Sequence, residues 1–173
     1  MQENKPILIV GLGNPGPEYA GTRHNVGFMA VKYLAGVDAT WRAAHHAMIS
    51  SANIDGRRVI FAMPTTYMNL SGNAVGAIMA FYKVPLENVM VIHDDLDLPA
   101  GAMRTKIGGG SAGHNGIRSI DAMVGRDYRR IRIGIGHPRD SARPIPVADW
   151  VLGKIPDDDM TAINKTISEI KLF

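Results

Sequence analysis

Two short runs made only of apolar residues constrain the fold of this chain more than any other feature. They are residues 7–10 and 89–92, and glycine or polar residues follow each run at once. Such a run is typical of a strand that is buried on both faces of a sheet, as in the centre of a parallel sheet. Because a parallel sheet needs helices on its faces, the two runs indicate an α/β protein.

The rest of the chain supports this interpretation by alternating strand and helix patterns. Further strands are predicted over residues 48–54, 57–63, 103–107 and 131–135, and helices over residues 25–34, 71–82, 117–123 and 157–172. Asp55-Gly56 between two of these strands predicts a hairpin. Asn25 is predicted to cap the first helix. We therefore expect one compact α/β domain over residues 1–173, with a mixed, mostly parallel central sheet flanked by helices.

Composition excludes several classes of function. The chain has no cysteine, which rules out disulfides, a thiol nucleophile and a cysteine-ligated zinc. No apolar run approaches the roughly 18 residues that span a bilayer. The polar residues 1–6 lack the apolar core of a signal peptide. These observations predict a cytoplasmic protein without a membrane partner.

Basic residues are concentrated in one stretch of the chain. Residues 101–143 carry three aspartates against nine cations, which are Arg104, Lys106, Arg118, Arg126, Arg129, Arg130, Arg132, Arg139 and Arg143. Such an excess suits the binding of phosphates. It also suits a plain solvated face, and charge does not choose between the two.

Polar clusters follow the predicted strands and indicate where a site would form. They occupy residues 11–25, 64–72, 93–99 and 108–116, and together they contain histidine, carboxylate and carboxamide side chains. In open α/β sheets, ligands bind at the carboxyl ends of the strands. We therefore expect these clusters to converge at one edge of the sheet.

The first cluster also matches the dinucleotide-binding pattern. Gly11, Gly13 and Gly16 have the spacing G-x-G-x-x-G after a strand. That pattern works only when a helix opens on the glycines and points its N-terminus at the pyrophosphate. Pro15 and Pro17 interrupt this start, so a tight turn explains the glycines better.

The last cluster spells the nucleophile elbow G-x-S-x-G around Ser111, and His137 with Asp121 or Asp127 would complete a triad in the required order. The additional glycines around Ser111 favour a flexible loop instead. The elbow therefore remains an alternative to the sites considered next.

A metal held by His93, Asp94 and Asp95 is a further alternative. Adjacent residues of a strand point to opposite faces, so the three side chains cannot share one ion without a bend. We expect no metal and no cofactor.

Five motifs, in order along most of the chain, make the sequence resemble the bacterial peptidyl-tRNA hydrolases. They are VGLGNPGPEY with TRHNVG (residues 10–19 and 22–27), PTTYMNLSG (64–72), HDDLDLP (93–99), GGGSAGHNG (108–116) and RIGIGHP (132–138). Each motif alone is weakly specific, but the five in this order are highly specific.

The resemblance implies roles for individual residues. His24 corresponds to the family's general base and Asp94 to the carboxylate that orients it. Asn14 corresponds to the residue that distinguishes peptidyl-tRNA from aminoacyl-tRNA. The residues implied to line the substrate groove are Tyr19, Tyr67, Met68, Asn69, His114 and Asn115, and those implied to bind tRNA phosphates are Lys106 and Arg132.

The implied activity is hydrolysis of the ester between peptide and tRNA, which recycles tRNA from aborted translation. Water would be activated directly, without a covalent intermediate, and the protein would act as a monomer. Relatives commonly continue through more helix and a basic tail, so the C-terminal helix is expected to be cut short here. The opposing hypothesis is an RNA-binding module that binds tRNA and hydrolyses nothing.

Overall fold

The computed structural model describes residues 1–173, which form seven strands and five α-helices. The strands are β1 (Ile7–Gly11), β2 (Arg42–Ala44), β3 (Ala47–Ile54), β4 (Arg57–Pro64), β5 (Val89–Asp95), β6 (Met103–Ile107) and β7 (Arg129–Gly134). The helices are α1 (Val26–Ala35), α2 (Ser71–Tyr82), α3 (Asn115–Val124), α4 (Val147–Val151) and α5 (Asp157–Ser168). None of these helices is long and apolar enough to cross a membrane.

The strands form one sheet in the order β2-β3-β4-β1-β5-β7-β6. Its four central strands, β4, β1, β5 and β7, are parallel to one another. The outer strands β2, β3 and β6 pair antiparallel with their neighbours. The predicted mixed, mostly parallel sheet is therefore confirmed, and the two apolar runs lie side by side at its centre.

Each face of the sheet has its own apolar core. Leu8 and Val10 of β1 pack on one face with residues of α2 and α3. Ile7 and Ile9 pack on the other face with residues of α1 and α5. Because both faces are covered, every residue of β1 and β5 is buried, which explains why these strands show no alternation.

Some local predictions are confirmed and others are corrected. The hairpin at Asp55-Gly56 is present, and both residues adopt the positive φ angles of its turn. Helix α5 ends at Ser168, four residues before the predicted end. Strand β2 and helix α4 were not predicted, because elements of three and five residues are too short to show a period.

Gly11 and Gly27 bring helix α1 against the central strand. A Cβ on Gly11 would lie 2.1 Å from the carbonyl oxygen of Gly27, so neither backbone could approach the other if Gly11 carried a side chain. Helix α1 begins only at Val26, well past the glycine-rich turn. The glycine pattern therefore serves close packing and a turn. The dinucleotide-binding interpretation is wrong, because it requires a helix that begins at the glycines.

Candidate active site

A histidine and a carboxylate meet at the carboxyl edge of the sheet. His24 lies in a single 3-10 turn (Arg23–Asn25) between β1 and α1, and Asp94 lies near the end of β5. His24 Nδ1–H donates to Asp94 Oδ2 at 2.8 Å. Asp94 is only 4% exposed, so its charge is screened little by water. His24 and Asp94, which the resemblance implies to be a general base and its orienting carboxylate, are therefore hydrogen-bonded to each other.

A second histidine binds the other oxygen of the same carboxylate. His114 Nε2–H donates to Asp94 Oδ1 at 2.8 Å. His114 is also the N-cap of α3, where its Nδ1 accepts from the backbone N–H groups of Gly116 and Ile117. Because Nδ1 is an acceptor there, the proton of the neutral ring must be on Nε2. Both ring nitrogens of His114 are thus engaged by Asp94 and the helix, and its contact with substrate stays a prediction.

These contacts shift the pKa values of the pair in opposite directions. Burial by itself would raise the pKa of Asp94, but the interactions of its carboxylate with His114 and His24, hydrogen bonds included, outweigh burial and hold that pKa well below its usual value. Burial would lower the pKa of His24, but the charge and hydrogen bond of Asp94 outweigh it and raise that pKa above 6.5. Asp94 therefore stays ionised, and His24 binds its proton more tightly than an ordinary histidine.

His93 lies directly beneath this cluster. Its Nδ1–H donates to the backbone carbonyl of Asp94 at 2.8 Å, and its ring lies 4.9 Å from the ring of His114. Burial, with the neighbouring His114 ring, lowers the pKa of His93 to about 3. A ring that stays neutral at physiological pH adds no competing charge beside Asp94.

A cavity of about 540 Å³ opens beside His24. Its size suits a small organic group rather than a whole nucleic acid. The predicted site residues in its wall are Asn14, His24, Asp94, Lys106, His114, Asn115 and Arg132. Helix α4 and the residue after it supply an apolar wall of Val147, Ala148, Val151 and Leu152, which was not predicted.

Asn14 is presented to this cavity by Asn25. The backbone N–H of Asn14 donates to Asn25 Oδ1 at 2.8 Å, and Asn25 Nδ2 donates to the Asn14 carbonyl at 3.0 Å. The side chain of Asn25 makes no capping hydrogen bond to α1, so the predicted cap is corrected. Its two backbone contacts leave the carboxamide of Asn14 free for a ligand.

Four residues implied to line the groove lie outside the cavity wall. They are Tyr19, Tyr67, Met68 and Asn69. Tyr67 and Asn69 are exposed, and Tyr19 is half-buried. Met68 is buried, and its sulfur would be 2.6 Å from a Cβ on Gly116, so it packs beneath the start of α3. Their contacts with substrate stay predictions.

The cations of the basic stretch divide into buried and accessible groups. Arg130 is fully buried and forms an ion pair with Asp121 at 2.9 Å, so it is not part of a phosphate-binding surface. Arg132 is 26% exposed and contacts Asp95 at 3.2 Å. Lys106 is half-buried, and its Nζ donates to the Gly110 carbonyl at 3.1 Å. Burial, with neighbouring Arg130 and Arg132, lowers the pKa of Lys106.

The loop that carries Ser111 does not have the form of a nucleophile elbow. Seven residues of loop separate β6 from α3, so the sharp strand–helix turn of a nucleophile elbow is absent. His137 Nδ1 accepts from the backbone N–H of Arg139, and Asp121 accepts from Tyr128 and Arg130. These contacts do not support the serine-hydrolase alternative.

The His24, Asp94 and His114 side chains lie close enough together to suggest metal ligands. Both N···O separations of 2.8 Å are hydrogen-bond lengths, however, and His114 Nε2 carries the proton of that bond. An ion about 2 Å from each ligand atom would have to displace these protons. The cluster therefore fits proton transfer better than metal binding.

Comparison with known proteins identifies the family. The sequence model of the peptidyl-tRNA hydrolases matches residues 8–172. Peptidyl-tRNA hydrolase of Rickettsia bellii is 45% identical over 167 residues, which are 95% of this chain and 89% of that protein. The enzyme of Azorhizobium caulinodans is 47% identical over 168 residues, covering 94% of this chain and 81% of that protein.

A solved structure supports the same assignment. The crystal structure of peptidyl-tRNA hydrolase from Acinetobacter baumannii matches with a TM-score of 0.87 and 42% identity, covering 97% of this chain and 85% of that one. Sequence and fold thus agree over nearly the whole chain. This protein belongs to the peptidyl-tRNA hydrolase family.

Proposed function

We propose that this protein hydrolyses the ester that joins a peptide to tRNA, with His24 as general base. The observation that carries the proposal is the Asp94 carboxylate, which accepts a hydrogen bond from each of two histidines beside a cavity. Because His24 Nδ1–H is bound to Asp94, the lone pair of the neutral ring is on Nε2. That nitrogen makes no hydrogen bond within the protein and is available to a water molecule.

The reaction follows from this tautomer. Nε2 of His24 takes a proton from water as the oxygen attacks the ester carbonyl, and Asp94 stabilises the imidazolium that forms. The tetrahedral intermediate then collapses, and the imidazolium returns the proton to the departing ribose oxygen. Water attacks the ester directly, so no covalent enzyme intermediate forms. General base catalysis of this kind contributes about 10²–10⁴-fold to the rate.

The negative oxygen of the intermediate needs a donor as well. Asn115 begins α3 and lies in the wall of the cavity, so its carboxamide N–H is the donor that we assign. Asn69 also carries a carboxamide and is implied to line the groove, but it lies outside the wall. Asn115 is thus the better placed of the two carboxamides.

Asn14 would distinguish blocked from free aminoacyl-tRNA. The peptide amide N–H donates to the Asn14 side-chain carbonyl, whereas a free α-ammonium would lose hydration in the cavity. The test compares N-acetylated with free aminoacyl-tRNA as substrates of wild type and Asn14→Asp. We expect the variant to lose discrimination, and equal discrimination in both proteins would disprove this role.

The tRNA would be held through its phosphates. Lys106 and Arg132 contribute charge beside the cavity, and contacts of this kind do not depend on base sequence. Cleavage would return tRNA from aborted translation, and the protein needs neither a cofactor nor a second subunit for these steps.

The decisive assay is a single turnover of diacetyl-lysyl-tRNA in the presence of EDTA. We expect hydrolysis by the wild type and by Ser111→Ala, which is the matched control for a serine nucleophile. His24→Ala should bind tRNA but lose the rate by about 10²-fold or more. A wild type that binds tRNA and releases no peptide would establish the RNA-binding alternative instead.

A further inference from the structure

Helix α4 forms a wall of the active-site cavity although it has little core of its own. None of its five residues is buried, and its apolar residues Val147 and Val151 line the cavity together with Leu152, which directly follows the helix. An isolated helix of this length does not form in water. Its position must therefore come from contacts with the rest of the protein.

Those contacts converge on Arg23, the residue before His24. The Arg23 guanidinium lies 3.5 Å from the centre of the Trp150 ring, and its Nη1 donates to the Trp150 carbonyl at 3.1 Å. On the other side, Trp150 Nε1–H donates to the Gly136 carbonyl at 2.8 Å, beyond the end of β7. Trp150 thus attaches α4 both to the His24 turn and to the sheet.

Backbone pairing strengthens the same junction. Arg23 N–H donates to the Gly153 carbonyl at 3.0 Å, and Ile155 N–H donates to the Gly21 carbonyl at 3.1 Å. A Cβ on Gly153 would lie 2.7 Å from Arg23 Nη1, so glycine there makes room for the guanidinium. The segments before His24 and after α4 therefore pair through their backbones and leave space for the Arg23 guanidinium.

The arginine is held by stacking rather than by an ion pair. Arg23 is 8% exposed, and none of the four ion pairs of the protein includes it. Burial lowers its pKa, and the more distant charge of Asp159 opposes this. A planar guanidinium stacks on a ring and donates in its own plane, which the compact ammonium of lysine does not reproduce.

We propose that Arg23 is a positioning residue that holds α4 as the apolar wall against which the peptide part of the substrate binds. This inference rests on the proposed function for its substrate. Arg23 does not touch Asp94, and His24 is anchored to Asp94 separately. Loss of the stack therefore weakens peptide binding while the proton transfer at His24 continues.

The test uses Arg23→Lys and Gly153→Ala in a Trp41→Phe background, where Trp150 is the remaining tryptophan. We expect acrylamide to quench Trp150 more strongly in both variants than in the background protein. We expect KM for peptidyl-tRNA to rise about tenfold, as for loss of a buried stack, with little change in kcat or its pH profile. The matched control is Arg58→Lys, which alters an exposed stacked arginine on β4 and should change neither reading.

Wild-type KM and quenching in Arg23→Lys would overturn the proposal. So would a raised KM with unchanged quenching, because Arg23 would then act on the substrate rather than on α4. If Arg23→Lys does not fold, Gly153→Ala tests the proposal instead, because this variant retains the stacked side chains of Arg23 and Trp150. If the wild type hydrolyses nothing, the proposed function fails, while the quenching comparison still decides whether Arg23 holds α4.

Discussion

At the scale of the residue, the two carboxylate oxygens of Asp94 accept hydrogen bonds from different histidines. Oδ2 accepts from His24 and Oδ1 accepts from His114. Because both oxygens are occupied, the carboxylate cannot rotate without breaking a hydrogen bond in a buried site, which costs about 1–3 kcal/mol. His114 is itself fixed by the N-terminus of α3, so the orientation of His24 depends indirectly on that helix.

This arrangement predicts a graded effect of substitutions at His114. His114→Leu removes a donor from Asp94, and we expect kcat to fall about tenfold, the worth of one hydrogen bond to a charged group. The Asp94 carboxylate then attracts the His24 proton more strongly, so the acidic limb of the kcat profile moves to higher pH. His114→Gln keeps an N–H donor at the Nε2 position and should recover part of both effects.

The matched control is His137→Gln, because His137 also caps a short helix by accepting from a backbone N–H but lies outside the cavity wall. Steady-state rates between pH 5 and pH 9 give the comparison. Equal kcat profiles for wild type and His114→Leu would show that His114 has no positioning role.

Single residues also show where prediction from sequence ends. The strand ends were predictable because glycine and polar residues follow apolar runs, whereas the His24–Asp94 pair was implied by the resemblance of five ordered motifs to a known family. The hydrogen bonds of Asn25 to the backbone of Asn14 were not predictable, because an asparagine before a helix can either cap the helix or brace a loop. The contact of His114 with Asp94 was hidden for another reason: the sequence does not tell how the intervening loop folds.

At the scale of the element, helix α2 ends on a strained residue. Lys83 follows the helix with φ 56° and ψ 49°, the left-handed conformation that glycine favours at this position. We expect Lys83→Gly to raise the free energy of unfolding by about 0.5–1 kcal/mol. Denaturant unfolding with Lys83→Ala as control measures this, because alanine keeps the Cβ and the strain. No gain of glycine over alanine would contradict the prediction.

Element length explains which parts of the fold were predicted. Strands β1 and β5 were predicted because they are buried on both faces, and α2 because its apolar spacing spans three turns. Strand β2 and helix α4 were missed because a few residues cannot display a period. Helix α4 is held by the tertiary contacts of its Trp150 with Arg23 and Gly136, and such contacts leave no local signal in the sequence.

At the scale of the whole molecule, the buried His93 makes the free energy of unfolding decrease in acid. Burial depresses the pKa of His93 from 6.5 to about 3. The unfolded chain therefore binds this proton first, and the contribution of His93 is complete above pH 6.5 and declines as the pH falls below it. His24 has the opposite sign: its raised pKa gives a contribution complete below pH 6.5 that is lost as the pH rises through its folded value.

We expect the free energy of unfolding to decrease from pH 6.5 towards pH 4.5, and we expect His93→Asn to reduce this slope. The asparagine can still donate to the Asp94 carbonyl but binds no proton. Denaturant unfolding at a series of pH values measures the slope, and His137→Gln should leave it unchanged. An equal slope in His93→Asn would mean that another group causes the decrease in the free energy of unfolding at low pH.

The proposed function requires that His24, with its pKa raised by Asp94, is the base that activates water. The most direct measurement compares the pH dependence of single-turnover hydrolysis with the titration of the His24 ring followed by NMR in the same protein. We expect both curves to share one midpoint above pH 6.5, and we expect Asp94→Asn to lower the NMR midpoint while reducing the rate about 10²–10⁴-fold. A rate that does not follow the titration of His24, or a midpoint unmoved by Asp94→Asn, would contradict it.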